Sequence, residues 1–257
     1  MQDQNFDQLS QQFQKQIYDT IKGQIRLALL QEDFQQAGPD LSQPGLKVLD
    51  AGGGIGQFSA TLAARGHQVT LCDLSEEMLK LAREEFARTA PGAEAQFIHG
   101  PLQVLSEEHL GQFDLLLFHA VMEWLVDPFE ALQRLLPLVK PGGFFSVMFY
   151  NKHALRWRYL SSAQFGEGMG DTFRRREGSL TPLARWNHSR CMTGYRPWVW
   201  KCGRGPAFVA STIIFPVSFA PGLPLNRYYL PSSSLPGCLP TGIWVAMYTC
   251  CATGHCE

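Results

Sequence analysis

VLDAGGGIGQ, residues 48–57, decides the fold. A short apolar run meets Asp50 and Ala51, and glycine then fills four of the next five positions, Gly52, Gly53, Gly54 and Gly56. Such a turn lets a ligand approach the backbone without meeting side chains. In a doubly wound sheet, ligands lie beyond the carboxyl ends of the strands. The dinucleotide fingerprint G-x-G-x-x-G would need glycine at 57, where Gln57 stands. The chain has Asp50-x-Gly52-x-Gly54-x-Gly56 instead. Asp73, 21 residues after Gly52, ends the next apolar run, where its two oxygens could accept both hydroxyls of a ribose. Its other reading is a cap for the following helix.

Outward from the turn, the rhythm alternates. Residues 5–36 read as helical, with Phe6, Leu9, Phe13, Ile17, Ile21, Ile25 and Leu29 recurring every three or four positions. Gly38, Pro39, Pro44 and Gly45 break that pattern. KVLDA reads as a strand, and QFSATLAARG as a helix closed by Gly66. QVTLCD is a second strand, followed by the helix SEEMLKLAREEFART with Ser75 at its N-cap. AQFIHG and FDLLLFHA give a third and a fourth strand. DPFEALQRLLPLVK reads as a helix ending at Pro141-Gly142-Gly143, and FFSVMFY as the fifth strand. Strands alternating with helices predict an α/β, doubly wound, mostly parallel Rossmann-like sheet with N-terminal helices.

The Asp50 to Gly56 spacing resembles the first motif of class I S-adenosylmethionine-dependent methyltransferases. A narrower resemblance rests on MQDQNF, IYDTIKGQIR (17–26), VLDAGGGIGQ, GHQVTLCDLS, QFIHG, LFHAVMEWL and PGGFFSVMFYN. Together these look very like the bacterial tRNA 5-carboxymethoxyuridine methyltransferase family, over residues 1–177. The N-terminal block is its specific part, because generic methyltransferases share the glycine turn but not KGQIR.

That resemblance implies methyl transfer from S-adenosylmethionine to the carboxylate of 5-carboxymethoxyuridine at the tRNA wobble position, giving a methyl ester. It implies Arg26, Gly52, Gly53, Asp73, Leu102, Gln103 and His119 at the cofactor. Arg26 would pair with the cofactor's carboxylate, though a helix arginine is also often only solvated. Leu102 would offer its backbone N–H to adenine, and Gln103 its amide. His119 has a second reading as a helix-capping histidine. Tyr150, Lys152 and His153, just past the fifth strand, are candidates to meet the substrate carboxylate, with plain loop and surface as the other reading. A methyltransferase for a small-molecule acid and a non-catalytic S-adenosylmethionine or RNA binder are the alternatives.

Charge divides the chain. Residues 1–177 hold 22 of the 23 acidic groups and 16 of the 22 Lys and Arg, a net −6, whereas residues 178–257 carry +5. The first segment is too acidic for broad nonspecific nucleic-acid binding. Its basic part is local: Lys152, Arg156, Arg158 and Arg174–Arg176 face only two acids, the pattern of a phosphate contact or of a solvated face. The expected organisation is therefore a helical cap over 1–45, a cofactor-binding core over 46–150, a basic substrate-side segment over 151–177 and an atypical tail over 178–257.

The tail holds six of the seven cysteines and nine of the sixteen prolines, and encodes no amphipathic helix. An altered reading frame beginning around residues 177–186 explains preserved length with changed chemistry; a lineage-specific replacement is the alternative. No C-x-x-C pair occurs, so the cysteines with His255 fit no zinc pattern, and no metal is expected. Poor order or weak packing is expected there, and absence of the final strands would leave the fifth strand as an exposed edge. No stretch has the roughly 18 consecutive apolar residues of a membrane span. The polar start lacks a secretory signal, so the cytoplasm is the expected location.

Overall fold

The structure is a computed structural model that describes residues 3, 5–8, 10, 20–150, 161, 163, 165 and 210–216. Its described strands form one sheet in the order β3-β2-β1-β4-β5-β6. These are β1 (Lys47–Ala51), β2 (Gln68–Asp73), β3 (Ala95–His99), β4 (Phe113–His119), β5 (Val139–Tyr150) and β6 (Ala210–Pro216). β1 lies parallel to both β2 and β4, so strand order reverses there and a crevice opens beyond its carboxyl end.

The central strands are apolar on both faces because helices cover both. Residues alternate between two cores as the strand period requires. Val48, Leu71, Leu115 and Leu117 pack with α1 (Ile21–Ala37), α2 (Gln57–Ala63) and α3 (Glu76–Thr89) through Leu30, Phe34, Leu62, Leu79 and Phe86. Leu49, Leu116 and Phe118 face the other way, toward Leu132 and Leu135 of α5 (Pro128–Leu135). A short α4 (Glu107–Leu110) precedes β4. At the sheet's opposite end, Asp114 ties three strands, accepting from the Lys47 N–H at 2.8 Å and the Lys140 ammonium at 2.7 Å.

The predicted caps form. The Ser75 hydroxyl accepts the Met78 N–H at 3.1 Å, and Gly66 takes φ +85 after α2. Three readings need correction. The single helix over 5–36 is interrupted at Thr20, whose backbone is extended and whose hydroxyl accepts the Gly23 N–H to start α1. The α5 helix stops at Leu135 rather than at Pro141-Gly142-Gly143, because Pro137 cannot supply the next helical donor. Pro141–Gly143 instead lie inside β5, at a register shift against β4.

The third correction concerns the tail. β5 is not an edge, since β6 pairs antiparallel along it from Phe144↔Pro216 to Tyr150↔Ala210. Ser211-Thr212-Ile213-Ile214 is rich in β-branched residues and suits a strand whatever surrounds it. The rest of 178–257, with its cysteines, lies outside the described residues, as do most of 151–177 and the Arg174–Arg176 run. Among the described residues no helix is long and apolar enough to cross a membrane.

Candidate functional site

The glycine turn runs from β1 into α2, and the N–H groups of its four glycines are already committed. Gly52 and Gly53 donate to the Cys72 carbonyl at 2.7 and 3.1 Å, Gly56 donates to the Gly53 carbonyl at 2.9 Å, and Gly54 donates to Asp73 Oδ2 at 2.8 Å. A phosphate cradle needs such groups pointed outward. This turn is a tie between β1 and β2, and the pyrophosphate reading fails on its own geometry. Gly52 is irreplaceable here: its φ is +74, and a Cβ would lie 2.6 Å from the Val121 side chain.

Asp73 stands at the carboxyl end of β2 with both oxygens engaged once from the protein. Oδ2 takes Gly54 N–H and Oδ1 takes the Ser75 N–H at 2.9 Å. Each carboxylate oxygen can accept a further hydrogen bond. Burial raises the Asp73 carboxyl above the usual range, and the two N–H bonds oppose it. Fixed in this way, the carboxylate fits a vicinal diol such as a ribose.

Across the crevice, β4 ends at His119. Its Nε2 lies 2.8 Å from the hydroxyl of Ser146, itself fully buried in β5. Burial, with the Arg26 charge adding, pushes His119 down to about 3, so the imidazole is neutral at ordinary pH. Ala120 follows with φ +57, a left-handed conformation costing a non-glycine residue about 1 kcal/mol. Its N–H donates to the Met148 carbonyl at 2.7 Å, which holds it there.

A cleft of about 700 Å³ opens between these walls. Arg26, Gly52, Asp73, Leu102, His119 and Ala120 all line it. A second cavity of about 470 Å³ adjoins it, lined by Gly53, Asp50 and Gln57 and sharing Arg26 and His119 with the first. Asp50 is buried, and burial with the nearby Asp73 charge raises it to about 6 against the opposing effects of Ser59 and Arg26.

The fold therefore brings together five of the expected residues, Arg26, Gly52, Asp73, Leu102 and His119, around one cleft. Gly53 faces the adjoining cavity. Gln103 is exposed in the turn beside Leu102 and lines neither. Tyr150 closes β5, and its side chain, Lys152 and His153 lie outside the described residues. Among the described residues no cluster of His, Cys, Asp or Glu could hold a metal.

Sequence reasoning missed Glu123. It sits in the turn Met122–Trp124 after β4, wholly buried, and among the described residues neither carboxylate oxygen has a hydrogen-bond partner. Burial pushes it up to about 7, with its own N–H and Arg26 opposing. Only its place between apolar Met122 and Trp124 could have hinted at this.

The family described as "Methyltransferase domain" matches residues 49–145. Over 182 residues the chain is 40% identical to the tRNA 5-carboxymethoxyuridine methyltransferase of Escherichia coli strain K12, covering 71% of this chain and 70% of that one. It is 36% identical over 126 residues to the ubiquinone biosynthesis O-methyltransferase of Bordetella bronchiseptica, covering 48% and 49%. Two solved structures share the fold. Magnesium protoporphyrin IX methyltransferase from Synechocystis, with bound S-adenosylhomocysteine, has a TM-score of 0.56 at 19% identity, over 82% of this chain and 95% of that one. A Pyrococcus horikoshii protein reaches 0.58 at 20% identity, over 82% and 99%.

Proposed function

The chain belongs to the tRNA 5-carboxymethoxyuridine methyltransferases, and from that premise we propose that it methylates the carboxylate of 5-carboxymethoxyuridine at the tRNA wobble position, giving the methyl ester. Its cofactor is S-adenosylmethionine. The observation that carries the reading is the convergence of Arg26, Gly52, Asp73, Leu102 and His119 on one cleft at the strand-order reversal. When bound, the cofactor supplies an electrophilic methyl group on a sulfonium.

The residues present fit that cofactor. Asp73 has acceptor capacity left for the ribose hydroxyls, and the bare backbone at Gly52 leaves room beside it. Arg26 holds the amino-acid carboxylate. Neutral His119 adds no positive charge beside a sulfonium. Leu102 and Gln103 attend the adenine, Leu102 from the cleft wall and Gln103 from the adjoining turn.

The chemistry asks little of a base. A substrate carboxylate with an ordinary pKa near 4 is already ionised at neutral pH. The protein's task is placement and the exclusion of water. Tyr150 at the end of β5, with Lys152 and His153 next in the sequence, meets the substrate carboxylate, and the basic residues of 152–176 meet tRNA phosphates. The net −6 of residues 1–177 gives some weight to a small-molecule acid as substrate instead.

Incubation with S-adenosylmethionine carrying a labelled methyl group separates these readings, using tRNA that bears or lacks the carboxymethoxy group. Label entering only the modified tRNA supports the proposal. Label entering both tRNAs alike, or neither, rejects it.

A further inference from the structure

The start of the N-terminal block, MQDQNFD, has no part in the chemistry above, yet its described residues lie across the cofactor cleft. Asp3 and Phe6 line the same cavity as Asp73 and Leu102. The segment is fastened to both walls. On the β4 side, Asp3 Oδ1 accepts the Val126 N–H at 2.8 Å. On the β2 side, Asp7 Oδ1 accepts the Ser75 hydroxyl at 2.6 Å and the Glu77 N–H at 3.4 Å, at the start of α3. Asn5 shapes the stretch between, its side-chain oxygen taking the Asp7 N–H at 2.7 Å in an Asx-turn. Phe6 meets Trp124 edge-to-face at a centroid separation of 4.9 Å and packs on Ile55 and Met78.

We propose that residues 3 and 5–8 form a strap closing over the nucleoside end of the cleft, with Phe6 as its ligand contact and the carboxylates of Asp3 and Asp7 as its two fastenings. The lining at that end is largely apolar, with Leu74, Leu102, Trp124 and Leu125 alongside Phe6, while Asp73 supplies the polar edge. That combination suits a purine nucleoside: a flat base between apolar side chains, and a diol against a carboxylate. Both fastenings are single carboxylates bonded to donors on opposite walls, so releasing one end frees the strap without unfolding the sheet. The Ser75 bond in particular holds the Asp7 carboxyl below the usual range, so the fastening favours the ionised form. The strap sets how long the cofactor and its product stay bound.

This inference rests on the cleft being the S-adenosylmethionine site. It is tested by titrating S-adenosylhomocysteine and 5′-methylthioadenosine, which keeps the nucleoside but lacks the amino acid, into the full chain and its variants. Phe6→Ala is expected to raise Kd at least tenfold for both ligands, mainly through faster dissociation, and the double variant Asp3→Asn/Asp7→Asn about fivefold. In the unaltered chain, hydrogen exchange at residues 3–8 is expected to slow when S-adenosylhomocysteine is added, and Phe6→Leu guards against a folding defect in the alanine variant. Unchanged affinities in the variants, a loss confined to S-adenosylhomocysteine, or unaltered exchange would overturn the strap alone. No binding of either ligand by the unaltered chain would overturn the cofactor reading and the strap with it.

Discussion

The two walls of the cleft are finished to different degrees. On the β1–β2 wall, Gly52, Gly53, Gly54 and Gly56 all place their N–H groups on protein acceptors, and Asp73 is braced from both sides. On the β4 wall, Ala120 sits in a left-handed conformation and Glu123 is buried with no hydrogen-bond partner for its carboxylate among the described residues. His119 is held neutral there. The first wall is a shape fixed by backbone bonds. The second stores backbone strain and an unpartnered buried carboxyl, the kind of cost that folded proteins carry at functional sites. The β1–β2 wall is thus held by backbone bonds, the β4 wall carries backbone strain and an unpartnered carboxyl, and buried titratable groups stand on both.

That contrast can be broken by experiment, and the largest effect is expected at Asp73. On the proposed reading, Asp73→Ala removes two charge-assisted hydrogen bonds to the ribose, each contributing about 1.5–3 kcal/mol. Calorimetric titration of S-adenosylhomocysteine should then show affinity falling by roughly 100-fold or more. A loss below tenfold would mean that β2 does not position the nucleoside.

Glu123→Gln probes the other wall. The carboxyl is raised from its ordinary 4.5 to about 7 in the folded chain. The folded chain therefore binds more protons than the unfolded one between those values, and stability falls as pH rises through that window. The deficit reaches about 3 kcal/mol at most above pH 7. Buried Asp50, raised from 3.8 to about 6, acts in the same direction. His119, lowered from 6.5 to about 3, takes stability away as pH falls through that range. Glu123→Gln should raise the melting temperature at pH 8 and leave it nearly unchanged at pH 4. Equal effects at both pH values would show that the carboxyl is not buried unpaired.

Two smaller substitutions compare backbone with side chain. Gly52→Ala adds a clash with Val121 to the strain of a positive φ, whereas Gly45, at φ +100, has open space where a Cβ would stand. Chemical denaturation should find Gly52→Ala costlier than Gly45→Ala by about 1–2 kcal/mol, the part owed to overpacking. Equal costs would place the whole effect in the backbone. Ala120→Gly, smallest of all, relieves the left-handed strain and should stabilise the chain by up to about 1 kcal/mol. A loss reaching the roughly 0.5–1 kcal/mol that glycine's freedom in the unfolded chain costs would show that this conformation carries no strain.

Much of the fold and part of the site are legible in the sequence. The strands from β1 to β5 announce themselves as apolar runs, Ser75 as a cap, and Asp73 as a carboxylate at a strand end, because each signal is local. The glycine spacing with Gln57 also points away from a dinucleotide, and the donated N–H groups give the physical reason. What stays hidden depends on distant partners. At Glu123 only the flanking Met122 and Trp124 hint that its turn folds inward, and nothing near Asp7 shows that it caps a helix 68 residues away. Ala120 looks ordinary until the Met148 carbonyl fixes it. β6 is hidden by its setting, since a β-branched run among prolines and cysteines becomes a strand only against β5.

The central claim is that the transferred methyl group ends on a carboxylate. An ester is cleaved by mild alkali, whereas methyl groups on nitrogen, carbon or an ether oxygen survive it. Modified tRNA labelled by the chain should therefore be treated with dilute alkali and the volatile methanol counted. Nearly all the label should leave as methanol, and label that stays on the tRNA would rule out a methyl ester.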